Sequence, residues 1–213
     1  ALFFFQRQPP AELVCARESS RVLFRSAPPL GAGAFPDITI HDNVACQYRL
    51  VTEHLGIERL NLVMGYSMGG LQAFEWGAQH SDVAAAILPI CGAARVSPHN
   101  ALFLDGAKAA LTADPEYRDG FYDAQPTRGL LSFGRVYAGW VFSQRFFRQE
   151  AHRELGLASV EDVVRLVQTY FMRRDANDLL AMLWTWRHAD ISANERFGGD
   201  FEAALGAVTA NAV

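Results

Sequence analysis

The alternation of apolar and polar positions divides the chain near residue 92. Thr39 stands at a helix N-cap position and Asp42 comes three residues later, a capping-box spacing. Val44, Tyr48, Val51 and Leu55 then recur at helical spacing, and Gly56 is placed to end that helix. Arg59 to Met64 predicts a short strand. Leu71, Phe74 and Ala78 mark one face of the next helix, which ends near His80-Ser81-Asp82. Val83 to Ile90 is nearly all apolar, the composition of a strand covered on both faces. Helix, strand, helix and strand joined by short loops predict a parallel, doubly covered sheet.

Beyond Cys91-Gly92 the strand signal stops. Ser97-Pro98 opens a helix that runs to about Leu111, and Asp114-Pro115 and Gln125-Pro126 interrupt the next stretch. Leu130, Phe133, Tyr137, Trp140 and Val141 make a second helical face. Ser159 and Asp162 form another capping box, ahead of Val163, Leu166, Val167, Tyr170 and Phe171. Asp175 precedes a helix over Ala176–His188. The stretch 98–195 therefore reads as an inserted all-helical lid whose aromatic residues fill its own core. Those left over would line a substrate channel or a subunit contact, the latter giving a homodimer through the lid. Residues 196–213 begin a return to the core, with a short helix over Asp200–Leu205, and end before the sheet resumes.

The first 36 residues have no such order. Leu2 to Phe5 is an apolar tetrad, Val22 to Ser26 is compatible with a short strand, and Pro28 to Gly33 has loop composition. The abrupt change near Phe35 also fits foreign nucleotide sequence joined to a fragment. The organisation expected is 1–36 irregular or non-native, 37–97 sheet-and-helix core, 98–195 helical lid and 196–213 the start of a return.

Composition narrows the function without deciding it. A net charge of −4, spread along the chain, gives no footprint for nucleic acid or an anionic membrane surface. No apolar run approaches a bilayer span, and Leu2–Phe5 is too short for a signal-peptide core. Cys15, Cys46 and Cys91 are widely spaced and lack a Cys-x-x-Cys pair, so neither a disulfide framework nor a metal site is expected and a reducing cytoplasm is the default.

The chemistry-bearing stretch is Gly65-Tyr66-Ser67-Met68-Gly69, between the strand ending at Met64 and the helix from Leu71. A Gly-x-Ser-x-Gly turn in that context lifts a serine hydroxyl to the top of a parallel sheet as a nucleophile. Gly65 and Gly69 leave room for the turn, and the helix start offers unpaired N–H groups to an oxyanion. The plainer alternative is a serine that merely caps the helix. Short motifs of this kind recur by chance, so the flanking strand and helix carry the weight.

Phe35 to Asp42, His54 to Leu60 and Gly65 to Trp76 resemble the homoserine O-acetyltransferase family, and the likeness continues through Gly129–Ser143 and Ala189–Phe197. The resemblance implies an α/β-hydrolase fold, here an incomplete parallel sheet with the inserted helical lid. It also implies that Ser67 takes an acyl group from acetyl-coenzyme A and passes it to a hydroxyl acceptor, with no bound cofactor or metal. The N–H of Met68 would form half of the oxyanion hole, and Arg135 best matches an arginine that contacts the amino-acid substrate. The triad acid and histidine of this family come after the helical insertion, beyond Val213. His80, His99, His152 and His188 read as packed or surface histidines instead. The homoserine-specific members usually carry glycine at the position of Tyr66, which leaves the acceptor open. An acyltransferase acting on a small-molecule substrate is the first reading. A serine esterase using water is the alternative, and a non-catalytic fragment or dimerisation module a third.

Overall fold

The computed structural model describes residues 2–5, 13–15 and 35–212; for residues 2–5 and 13–15 it describes only the backbone. The segment Val22–Ser26 lies outside those residues. The chain divides into two units, one containing Asp37–Ser97 and Trp184–Val213, the other Pro98–Leu183.

The first unit is built on a sheet ordered β2-β1-β3-β4-β5. Strand β3 (Leu62–Tyr66) pairs in parallel with β4 (Ala86–Ile90), with Val63 opposite Ile87 and Tyr66 opposite Ile90. The expected parallel core is therefore present, but the whole sheet is mixed. Strand β1 (Leu2–Phe5) runs antiparallel to β3 and to β2 (Leu13–Cys15). Two pieces of the segment expected to be irregular are thus strands. The sheet also resumes after the lid, against expectation, because Asn211–Ala212 forms β5 parallel to β4. A strand so short has no period to detect.

Helix α1 (Ile40–Arg49) starts at the Thr39–Asp42 capping box, with both reciprocal bonds made. Its continuation, Leu50–His54, is a π turn in which the N–H of Leu55 reaches back to Leu50. The wider turn rotates the apolar face, so Leu55 is exposed where helical spacing puts it inside, and Ile57 is buried in its place. Gly56, with φ of 64°, ends the element as predicted. Helix α2 (Met68–Gln79) follows β3 directly and is buried on most sides, with Leu71, Ala73 and Trp76 in the core beside Val63 and Ile87, and Ala78 packed with Ile191 and Ala204. Strand β4 is covered less fully than expected: Ile87 is buried but Ile90, at its carboxyl end, is exposed.

The second unit is all helical: α3 (Pro98–Thr112), α4 (Thr127–Val141), α5 (Gln144–Arg148), α6 (Val160–Phe171) and the first part of α7 (Ala176–Arg187). Leu104, Leu111, Leu130, Phe133, Val163 and Val167 are buried within it. Phe171 meets the rings of Phe133 and Tyr137 edge to face there, so aromatic residues do pack among themselves. Helix α4 begins after Pro126, which supplies no side-chain cap; the Asp114 carboxylate accepts from the N–H of Gly129 instead, at 2.8 Å. Gly129 permits this approach, because a Cβ there would lie 2.3 Å from the carbonyl oxygen of Leu111.

The division between units falls inside α7, earlier than residue 195. Thr185 donates to the carbonyl of Ile38, and Ala189 and Ile191 join the apolar clusters of the first unit. Around Arg95 and Asp190 the outgoing and returning chains pair antiparallel, with Val96 N–H to Ala189 and Ile191 N–H to Ala94. Helix α8 (Phe201–Gly206), capped by Asp200, then leads to β5. No helix among the described residues is long and apolar enough to cross a membrane.

Candidate active site

Ser67 sits between the end of β3 and the start of α2 with φ of 57° and ψ of −121°, backbone space that suits glycine. Three backbone bonds hold it there. Its N–H donates to the carbonyl of Ile90 at the end of β4, and its own carbonyl accepts from Gly70 at 2.7 Å and Leu71 at 3.2 Å. The turn is so tight that a Cβ on Gly65 would lie 1.9 Å from the carbonyl oxygen of Gly69. On the other side a Cβ on Gly92 would lie 2.6 Å from the carbonyl carbon of Gly70. The glycines here are requirements of backbone meeting backbone.

The hydroxyl of Ser67 makes no cap to its helix. A serine kept only for capping would sit in extended space and accept from the second or third helical N–H. Ser67 does neither. Its side chain is partly exposed at the carboxyl end of the parallel strands, where Ile90 and Cys91 are exposed too. Met68 is the first residue of α2, so its N–H belongs to the donors a helix leaves without an internal partner.

The rest of the elbow helix is fastened by polar groups. Trp76 donates to Gln47, and Gln47 donates to Gln72, joining α1 to α2. Arg196 donates to the carbonyls of Ala78 and Gln79, satisfying the last turn of α2. Glu75 is 1% exposed and meets Nδ1 of His41 at 2.8 Å. Burial raises the Glu75 carboxyl above its ordinary range, and the His41 contact pulls only partly the other way. The one sequence signal for this pair is a lone carboxylate inside an apolar helix.

Arg135, on α4, is held by Glu161 through both terminal nitrogens, at 2.6 and 3.3 Å, and both side chains are exposed. His80 is stacked on Tyr48 with ring centroids 3.9 Å apart, and burial pushes its ring down to about 4. His99 packs against Trp140, His152 is buried beside Phe146, and His188 bonds back to the carbonyl of Trp184. Among the described residues no histidine is hydrogen-bonded to Ser67, and no group of His, Cys, Asp and Glu is arranged for a metal. A hollow of about 230 Å³ in the helical unit is lined by Asp114, Pro115, Glu116, Gln125, Thr127 and Arg128. It falls below the roughly 300 Å³ of ordinary ligand sites, and of its two acidic groups Asp114 is engaged in capping and Glu116 is paired with Arg118.

The family model described as alpha/beta hydrolase fold matches residues 24–212. The chain belongs to the α/β-hydrolase family. Among its relatives, a probable esterase of Corynebacterium glutamicum is 38% identical over 83% of this chain and 51% of its own. The ethyl acetate hydrolase of Pseudomonas veronii is 36% identical over 85% and 52%. The homoserine O-acetyltransferase of Chlorobaculum tepidum is 37% identical over 82% and 49%. The resemblance to homoserine O-acetyltransferases is thus supported, with esterases beside it. Among solved structures, the acetyl esterase MekB superposes with a TM-score of 0.83 at 35% identity, covering 87% of this chain and 54% of that one. The chain spans about half the length of the curated relatives it matches.

Proposed function

We propose that Ser67 is the nucleophile of a serine esterase that hydrolyses short acetyl esters through an acyl-enzyme. The observation that carries this reading is Ser67 itself: a non-glycine residue held in glycine space, its hydroxyl uncommitted, at the start of a helix. Its oxygen would attack the ester carbonyl carbon, giving up its proton to a base. The oxygen that becomes negative would meet the N–H of Met68, a contact worth a few kcal/mol when it forms only in the transition state. Loss of the alcohol leaves acetyl-serine, and water then releases acetate and restores the hydroxyl. No base is assigned, because among the described residues no histidine is hydrogen-bonded to Ser67.

Water is favoured as acceptor by one feature. Tyr66, exposed beside the nucleophile, adds bulk where the homoserine-specific pattern has none. The second reading, transfer from acetyl-coenzyme A to the hydroxyl of homoserine, is supported by the Chlorobaculum tepidum relative at an identity equal to that of the esterases.

The test gives the full-length protein ethyl acetate, and separately acetyl-coenzyme A with and without homoserine. Acetate release from the ester, absent in Ser67→Ala, is the expected result. Thiol release that requires homoserine would establish the second reading. Activity surviving in Ser67→Ala would overturn both.

A further inference from the structure

We propose that His41 and Glu75 hold one proton between them and form a pH-sensitive latch that fastens the first turn of α1 to the elbow helix. The geometry is direct. Nδ1 of His41 lies 2.8 Å from Oε1 of Glu75; the glutamate side chain is 1% exposed and the histidine side chain 42% exposed. The buried member therefore has a partner that reaches water.

With one proton shared, the pair carries no net charge, whichever partner holds it. Loss of that proton leaves a bare carboxylate out of water, which folded chains avoid strongly. Among the described residues that act on it, none is another cation. Gln79, one turn further along α2, is neutral, and Asp190, from the chain that returns after α7, repels a second carboxylate. The Arg95 guanidinium is already bonded to Asp190 and Ser192. His80, close enough to His41 to be felt by it, is held neutral by burial. Further along α1, Gln47, Gln72 and Trp76 make the contact with α2 through neutral groups that do not titrate. The latch therefore acts at the start of α1 and leaves its later turns fastened.

The sign comes from linkage. The raised carboxyl keeps its proton in the folded chain at pH values where the unfolded chain has lost it. Its stabilisation is present below the ordinary glutamate range and is lost as pH rises through the folded value. The latch concerns folding and not acyl chemistry, so it stands apart from the reading of Ser67.

The test compares wild type with Glu75→Gln, whose amide has the shape and charge of the protonated acid. Urea unfolding is measured from pH 5 to pH 9. The unfolding equilibrium constant of wild type is expected to rise relative to the variant across that range. His80 is common to both chains and cancels in the ratio. A ratio constant within about twofold would overturn the latch, as would a Glu75→Gln chain that does not fold at pH 5. The second measurement is the 13C shift of the Glu75 carboxyl. Its titration midpoint should lie above the ordinary carboxylate range and move higher in His41→Gln. A midpoint in the ordinary range, or one that His41→Gln leaves in place, would also overturn the proposal.

Discussion

Replacing Ser67 by glycine should stabilise the protein while destroying the nucleophile. At φ of 57° and ψ of −121° a residue with a Cβ is strained, by about 1–3 kcal/mol for sparsely populated backbone regions. Glycine removes that strain. Against the gain stands the wider freedom of glycine in the unfolded chain, about 0.5–1 kcal/mol. The hydroxyl adds little to the balance, because it caps nothing in its helix. Ser67→Gly should therefore be more stable than Ser67→Ala by about 1 kcal/mol, from the midpoints of those two ranges.

The comparison is made against alanine because both variants lack the hydroxyl and alanine keeps the Cβ. Urea unfolding at 25 °C, followed by fluorescence, measures the difference. One kcal/mol is about a fivefold change in the unfolding constant, well within the method. Equal stability of the two variants, or a less stable glycine, would refute the claim that strain is stored at Ser67. The expected ordering, with glycine the most stable of the three, is the one predicted for a residue kept for chemistry at the expense of folding.

Asp114→Ala should cost the helical unit about 2–3 kcal/mol, because the N–H groups of Gly129 and Glu116 lose a charged acceptor and Pro126 cannot replace it. Asp114→Asn, which keeps one acceptor in place, should recover much of that in thermal unfolding. Lowering the pH from 7 to 4.5 should weaken folding through His80, whose ring charges near 6.5 when unfolded but only at about 4 when folded. The gap sets a ceiling of about 3 kcal/mol. With the ring partly open to water, wild type should lose about 1 kcal/mol relative to His80→Gln, measured by urea titrations of both chains across that range.

Local signals in the sequence were sufficient wherever an element is decided by its own residues. The Thr39–Asp42 and Ser159–Asp162 boxes, Ser97-Pro98 and the Gly-x-Ser-x-Gly turn each carry their geometry within a few positions. The features that escaped were decided at a distance. Nothing near Leu50 marks a π turn, yet that turn moves Leu55 out of the core and Ile57 into it. Strands β1, β2 and β5 exist through pairing with β3 and β4, and their own residues are too few to show a period. Asp114 is separated from the helix it caps, and Glu75 meets His41 only after α1 and α2 pack together. At the candidate site the serine was legible; the groups that hold its helix were not.

The contacts around Ser67 explain how its strain persists. A strained residue relaxes unless the structure on both sides forbids it. Here the N–H of Ser67 is tied to the last residue of β4, and its carbonyl to the first turn of α2. Rotation towards ordinary helical or extended angles breaks one set or the other. The constraint passes across the sheet. Ile90 must keep its carbonyl turned to Ser67, so the chain leaving β4 has to turn away at once. Cys91 does this with φ of 52°, a second non-glycine residue at positive φ, and Gly92 then passes the start of α2 within a distance no side chain could share. The turn after β4 and the turn after β3 are thus one device, with the pairing of Tyr66 and Ile90 as its base. A larger residue at Gly92 should therefore disturb Ser67 as surely as one at Gly65, although it lies well away from the motif in sequence.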